Sequence, residues 1–79
     1  MKQNKTTRET YSRLIGYEFG TTDDGRSRIF NGGYWDPDTN KKQYEFLLYE
    51  PKTGEYRGNM ILDYKGFREI IDQFDWPKR

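Results

Sequence analysis

Short stretches in which apolar and polar residues alternate cover most of the chain, and this spacing is typical of β-strands. The alternation over residues 11–19 predicts a first strand. An Asp-Gly step at residues 24–25 tolerates positive φ and therefore predicts a turn. A second strand is predicted from Arg26 to Trp35. Within it, Asn-Gly-Gly at residues 31–33 fits either a β-bulge or a tight turn.

Two similar loops follow, fourteen residues apart. Residues 35–41 read WDPDTNK and residues 49–55 read YEPKTGE, so each has an aromatic residue, an acid, Pro, a variable residue, Thr, and then Asn or Gly. Pro favours a type I turn, and Asn or Gly accepts the left-handed position that ends it. Both loops are therefore predicted to be four-residue hairpin connections between strands at residues 42–50 and 55–62.

The spacing of apolar residues changes after Asp63, which is a good helix N-cap. Phe67, Ile70, Ile71 and Phe74 recur at helical spacing and predict a core-facing stripe on a helix over residues 64–74. Pro77 ends the pattern. The predicted fold is α+β, a four-stranded antiparallel β-meander with one C-terminal amphipathic α-helix. Residues 11–79 form this single domain and residues 1–10 a flexible arm.

The four-residue loops set a register in which Trp35 lies opposite Lys42 and Tyr49 opposite Tyr56. Counting from these pairs places the following residues on one face: Ile29, Trp35, Tyr44, Phe46, Leu48 and Ile61. The opposite face receives Arg26, Arg28, Phe30, Tyr34, Leu47, Tyr49, Tyr56, Met60 and Leu62. The first set is more purely apolar, so we expect the helix to cover it. The second face is then expected either to bind a ligand or to pack on the first strand, on the N-terminal arm or on a second copy of the chain.

The predicted binding surface combines basic and aromatic side chains. Guanidinium groups can pair with phosphates, and tyrosine rings can stack on bases. The same side chains could instead bind an acidic protein surface. The candidate residues are Arg26, Arg28, Tyr34, Lys41, Lys42, Tyr49, Lys52, Tyr56 and Arg57.

Composition narrows the chemistry. The chain of 79 residues has seven Tyr, five Phe and two Trp, a net charge of +1, and neither Cys nor His. Disulfides, zinc sites and a Ser-His-Asp triad are thereby excluded. Asp36, Asp38 and Asn40 match the start of a calcium loop, but Lys41 and Leu47 occupy the positions that need Gly and Glu. We therefore expect a protein that is not an enzyme and binds no cofactor or metal.

The near-neutral net charge does not favour binding to duplex DNA, which usually needs a clear excess of basic residues. Residues 1–10 are polar and contain no apolar leader segment, so the chain is predicted to be cytoplasmic.

A domain this small without disulfides often relies on oligomerisation. A homodimer is predicted, with Trp76 as its candidate anchor, because nothing in the segment around Trp76 is expected to bury it.

Residues 42–74 resemble the positive-cofactor-four family of transcriptional coactivators of bacterial and phage type. The resemblance rests on a Tyr-containing strand, the aromatic-x-Pro turn at residues 49–51 and a helix that opens with an aromatic residue. It implies a curved four-stranded sheet, a dimer and binding to single-stranded DNA, with Tyr49 in the place of a stacking Trp and Arg57 in that of a basic residue. Leu47 stands where the family has a strand arginine. Residues 49–74 also resemble the arm-site-binding domain of phage tyrosine recombinases.

Two functions are consistent with these features. The first is a small DNA-binding accessory or regulatory protein that prefers single-stranded DNA through its Arg and Tyr side chains. The alternative is a phage- or plasmid-type protein that binds and inhibits a host protein through an aromatic-rich surface.

Overall fold

Four antiparallel strands lie side by side in chain order and are followed by one helix, as predicted. The computed structural model describes residues 11–76, so the predicted N-terminal arm at residues 1–10 lies outside the described part. No helix in the described part is long and apolar enough to cross a membrane. The elements are β1 (Glu18–Thr21), β2 (Ser27–Asp36), β3 (Lys41–Tyr49), β4 (Tyr56–Leu62) and α1 (Tyr64–Ile71).

The first strand begins later than predicted. Tyr11 and Ser12 are helical and residues 13–16 form a turn, held by bonds from the Leu14 N–H to the Tyr11 carbonyl and from the Tyr17 N–H to the Leu14 carbonyl, both 2.9 Å. This turn buries Leu14 completely and leaves Ile15 exposed. The prediction of a strand over residues 11–17 was wrong because local hydrogen bonding, and not alternation, directs Leu14 into the core.

Both Pro-containing loops have the predicted length and set the predicted register. Trp35 lies opposite Lys42, and Tyr49 lies opposite Tyr56. The loops end at Asn40 and Gly54, whose φ values of 59° and 76° lie in the left-handed region. Asn and Gly are the residues that adopt this conformation most readily, which explains why both loops contain one at this position.

Each of two strands contains a β-bulge. In β2, Phe30 pairs with Phe46 but Gly32 pairs with Glu45, so Asn31 is an extra residue. The Asn-Gly-Gly sequence is therefore a bulge and not a turn. In β4 the register shifts between residues 56 and 59, around Gly58, which has a φ of 115°. Because successive strand residues point to opposite faces, one extra residue exchanges the faces of everything beyond it.

The predicted assignment of residues to the two faces was consequently wrong on one side of each bulge. Phe30 replaces Ile29 on the helix-covered face, and Leu62 replaces Ile61. By register, that face carries Arg28, Phe30, Gly33, Trp35, Lys42, Tyr44, Phe46, Leu48, Met60 and Leu62. Tyr44, Phe46 and Leu48 are buried there, in agreement with the prediction for β3.

The core is formed mainly by aromatic rings beneath α1. The Asp63 side chain caps the helix by accepting a hydrogen bond of 2.9 Å from the Gly66 N–H. Phe67 is fully buried, and its ring stacks on Tyr44 with a centroid distance of 4.2 Å and contacts Phe30 at 5.2 Å. The helix ends at Ile71, three residues earlier than predicted.

A polar and aromatic cluster attaches the N-terminal turn to α1. The Tyr11 and Tyr64 hydroxyls are hydrogen-bonded at 3.1 Å, and Arg68 donates to the Tyr64 hydroxyl at 2.9 Å. Arg68 also forms a bidentate salt bridge with the Asp72 carboxylate. Burial, together with the neighbouring Tyr64, raises the pKa of Tyr11 to about 12. This cluster therefore joins the two ends of the described chain.

Trp76 belongs to the same cluster and is only 7% exposed. Its ring lies 6.0 Å from that of Tyr11 and 5.8 Å from the Arg68 guanidinium. The expectation that Trp76 is left unburied, on which its prediction as a dimer anchor rested, was wrong, because Tyr11 and Arg68 of the same chain help to bury it.

The bulge in β4 makes a direct prediction for two neighbouring residues. Leu62→Ala is expected to lower the free energy of unfolding by about 1–3 kcal/mol, since Leu62 is half-buried and packs on the core. Ile61→Ala should change it by less than about 0.5 kcal/mol, because Ile61 is 45% exposed. Urea denaturation followed by fluorescence measures both values. A larger loss for Ile61→Ala than for Leu62→Ala would contradict this register.

Two adjacent helix residues provide a second comparison. Ile71 is fully buried whereas Ile70 is half-buried. Ile71→Ala is expected to cost about 2–5 kcal/mol of unfolding free energy, and Ile70→Ala clearly less. If Ile71→Ala fails to fold, Ile71→Val should still show a loss of about 0.5–1.5 kcal/mol by the same denaturation experiment. Equal losses at the two positions would mean that the helix is rotated from the described orientation.

Candidate functional site

The sheet face opposite α1 is the candidate site, because the one helix of residues 64–71 covers only the other side. We call it the open face. By register it carries Glu18, Ile29, Tyr34, Asp36, Lys41, Gln43, Glu45, Leu47, Tyr49, Tyr56, Asn59 and Ile61. Ile29 and Leu47 are half-buried, while Tyr34, Tyr56 and Ile61 are exposed. The open face thus exposes three large side chains that are wholly or mostly apolar, Tyr34, Tyr56 and Ile61.

Two tyrosines form one end of the open face. Tyr49 and Tyr56 lie opposite each other across β3 and β4, next to the second Pro-containing loop. Their rings meet edge to face with a centroid distance of 5.8 Å, and the Tyr56 side chain is 53% exposed. Such ring pairs stabilise each other modestly, so each tyrosine helps to position the other on the open face.

A hydrogen-bonded carboxylate lies at the centre of the open face. One oxygen of Glu45 accepts a bond of 3.0 Å from the Asn31 side-chain amide, and the other accepts from the Asn59 amide. Tyr56 in turn donates its hydroxyl proton to Asn59. The β2 bulge positions Asn31 for this contact, since Asn31 is the extra residue of that bulge. The Glu45 carboxylate is consequently fixed in place by residues from β2 and β4.

The charge of the open face differs from that predicted. Its strands contribute the carboxylates Glu18, Asp36 and Glu45 but one basic residue, Lys41. None of the ion pairs within residues 11–76 includes Glu45. The centre of the face is therefore acidic, with apolar side chains around it.

Four of the nine predicted binding residues do lie on the open face. They are Tyr34, Lys41, Tyr49 and Tyr56. Sequence reasoning missed Glu45, Asn59, Ile29 and Ile61 at this face. The signal that could have placed Ile29 and Ile61 is the pair of glycine-containing bulges, because a bulge reverses the alternation on one side of it.

The other five predicted residues lie elsewhere. Arg28 lies on the helix side and donates a 2.6 Å hydrogen bond to the Thr21 carbonyl. Arg26 pairs with Asp24 at 3.6 Å in the β1–β2 turn.

Lys42 lies on the helix side opposite Trp35, and Lys52 lies in the second Pro-containing loop. Arg57 follows Tyr56 at the β4 bulge and forms an ion pair of 3.2 Å with Glu55. The arginines and tyrosines that were predicted to act together are thus separated by the sheet or engaged in local contacts.

A cleft of about 410 Å³ lies beside the open face, between the N-terminal turn and the β2–β3 hairpin. Tyr34 borders both surfaces, and Trp35, 56% exposed, lines the cleft with Lys42. Across residues 11–76 there is no group of three or more acidic side chains arranged to hold a metal ion.

Comparisons with protein-family models, with curated proteins and with solved structures found no match.

The placement of Arg28 predicts a structural role that Arg57 does not share. Arg28→Ala should lower the free energy of unfolding by about 0.5–1.5 kcal/mol through loss of its bond to the Thr21 carbonyl. Arg57→Ala removes only a surface ion pair and should change it by about 0–0.5 kcal/mol. Thermal and urea unfolding of the two variants measure the difference. An unaffected Arg28→Ala protein would show that Arg28 is free for another role.

Proposed function

We propose that this chain is a small, non-enzymatic protein-binding module that holds another protein against its open face. The observation that carries the proposal is the exposure of Tyr34, Tyr56 and Ile61 on a sheet face that the described helix does not cover. Aromatic side chains are enriched at the centres of protein interfaces.

The size of the open face agrees with this function. At about 3.3 Å per residue and about 4.8 Å between strands, it spans roughly 30 Å by 15 Å. A stable interface commonly takes about 800 Å² from each partner, so a short segment or loop of another protein suits this face better than a whole globular surface. Tyrosine lends itself to such contacts because its ring has few rotatable bonds to immobilise on binding.

The electrostatics favour a protein over single-stranded DNA. Proteins that bind single strands combine stacking rings with a positively charged groove. On the open face the rings are present, but Arg28 lies on the other side of the sheet and three carboxylates outnumber the one basic residue, Lys41. Binding to single-stranded DNA, which the family resemblance implies, stays a prediction that the experiment below also tests.

Occupation of a partner's surface would itself be the biological activity. The described residues contain no cluster of metal-binding side chains, and the chain has no His or Cys, so we propose no chemical step. A small module of this kind fits the second predicted function, an inhibitor of phage or plasmid type that blocks a host protein.

A second copy of the chain is a less favourable occupant. In a two-fold symmetric dimer, residues near the axis meet their own copies. Glu45 lies at the centre of the open face, so face-to-face dimerisation would bring two carboxylates together. The predicted homodimer stays a prediction, and light scattering of the free chain tests it.

The proposed function is tested by capture from a lysate of the native host, with and without nuclease. The wild-type chain is compared with Tyr56→Ala/Ile61→Ala and with a control, Tyr17→Ala, whose residue is similarly exposed but lies outside the strands. We expect proteins that the wild type and the control retain in the presence of nuclease and that the open-face variant loses.

Two results would contradict the proposal. One is a set of partners that the open-face variant retains while it remains folded. The other is capture that nuclease abolishes, together with binding to fluorescent oligothymidylate that weakens steeply between about 50 and about 200 mM salt. The second result would support the single-stranded DNA prediction instead.

A further inference from the structure

We infer that the partner of the open face presents an arginine, and that this arginine binds the Glu45 carboxylate. The inference rests on the proposed function, because it names the chemistry of the segment that the open face would hold. It concerns the centre of the face, whereas the proposed function rests on the exposed rings and Ile61 around that centre.

The hydrogen bonds of Glu45 leave room for a bidentate partner. A carboxylate has about four lone-pair positions, two on each oxygen. The Asn31 and Asn59 amides occupy one position on each oxygen. Each oxygen thus retains one free acceptor position, and a guanidinium group offers two parallel N–H donors that match such a pair.

The surroundings of Glu45 make the approach possible and favourable. Across β2 the residue opposite Glu45 is Gly32, which contributes no side chain of its own and lies against the exposed Ile15, and across β4 it is Ile61. The Glu45 side chain is half-buried, so water screens its charge less than that of a fully exposed group. The stem of an arginine could pack on Ile61 while its head group reaches the carboxylate.

The Glu45 carboxylate itself favours a basic partner. The amide donors orient the Glu45 carboxylate but bring no positive charge to it, and no ion pair within residues 11–76 includes it. A desolvated interface that left this charge unpaired would be strongly unfavourable. A partner that covers the face therefore needs a cation at this point, and arginine fits the paired oxygens better than lysine does.

A displayed random-peptide library, selected against the whole immobilised chain, tests the inference. Selected peptides are re-measured by fluorescence anisotropy on the wild type, on Glu45→Gln, on Tyr56→Ala/Ile61→Ala and on Glu18→Gln. The last variant removes a carboxylate at the β1 edge of the same face and is the matched control for charge. We expect peptides with an arginine beside apolar residues that lose about tenfold affinity or more on Glu45→Gln but little on Glu18→Gln.

Replacement of the peptide arginine by citrulline, its neutral analogue, provides the decisive comparison. The citrulline peptide should bind the wild type as weakly as the arginine peptide binds Glu45→Gln, and Glu45→Gln should cause it little further loss. Peptides that require Tyr56 and Ile61 but are insensitive to Glu45→Gln would overturn the arginine inference and leave the proposed function intact. A selection that yields no peptide dependent on Tyr56 and Ile61 would overturn both.

Discussion

The packing of Phe67 on the sheet is the contact on which the rest of this structure depends. A helix of eight residues is too short to be stable in water by itself. Its two fully buried side chains, Phe67 and Ile71, must therefore hold it against the sheet. Phe67 stacks on Tyr44 and contacts Tyr11 at a centroid distance of 5.1 Å. Through Tyr11 the same contact orders the N-terminal turn. By attaching the helix to one face, it also leaves the opposite face uncovered by any other helix or strand within residues 11–76.

Much of this architecture could be predicted from local sequence. Pro followed by Asn or Gly determined both loops, and a loop of known length fixes the register of the strands it joins. Asp63 and the spacing of Phe67 and Ile71 determined the helix. These signals are reliable because each acts over a few residues and needs no knowledge of the partner strand.

The faces of the sheet could not be predicted in the same way, because a bulge depends on how two strands meet. Asn-Gly-Gly at residues 31–33 is compatible with a bulge or a turn. Gly58 can adopt the positive φ that the β4 bulge requires, but a single glycine does not by itself predict a bulge. Each bulge moved one isoleucine to the open face. The β2 bulge moved Phe30 to the helix side, and the β4 bulge moved Met60 and Leu62 there. Likewise, Trp76 is buried by Tyr11 and Arg68, which lie far from it in sequence or belong to another element.

These local shifts change the functional conclusion. Without bulges, Arg28 would join the tyrosines on one surface, and a stacking and phosphate-binding site would be the natural interpretation. With them, Arg28 lies on the helix side and the tyrosines surround the Glu45 carboxylate together with Ile61. The surface then has the character of a protein interface with an acidic centre. The proposed function therefore depends on the two bulges, which decide the face to which residues of β2 and β4 point.

The most direct test of this account is a set of nuclear Overhauser contacts from the Phe67 ring in the isotopically labelled chain. The account predicts cross-peaks from Phe67 to the rings of Phe30 and Tyr44, whose centroids lie at 5.2 Å and 4.2 Å. It also predicts none to the methyl groups of Ile29 or Ile61, on the opposite face. Cross-peaks from Phe67 to Ile29 and Ile61 in place of Phe30 would contradict it, because the bulges would then be absent and Phe30 and Leu62 would lie on the open face.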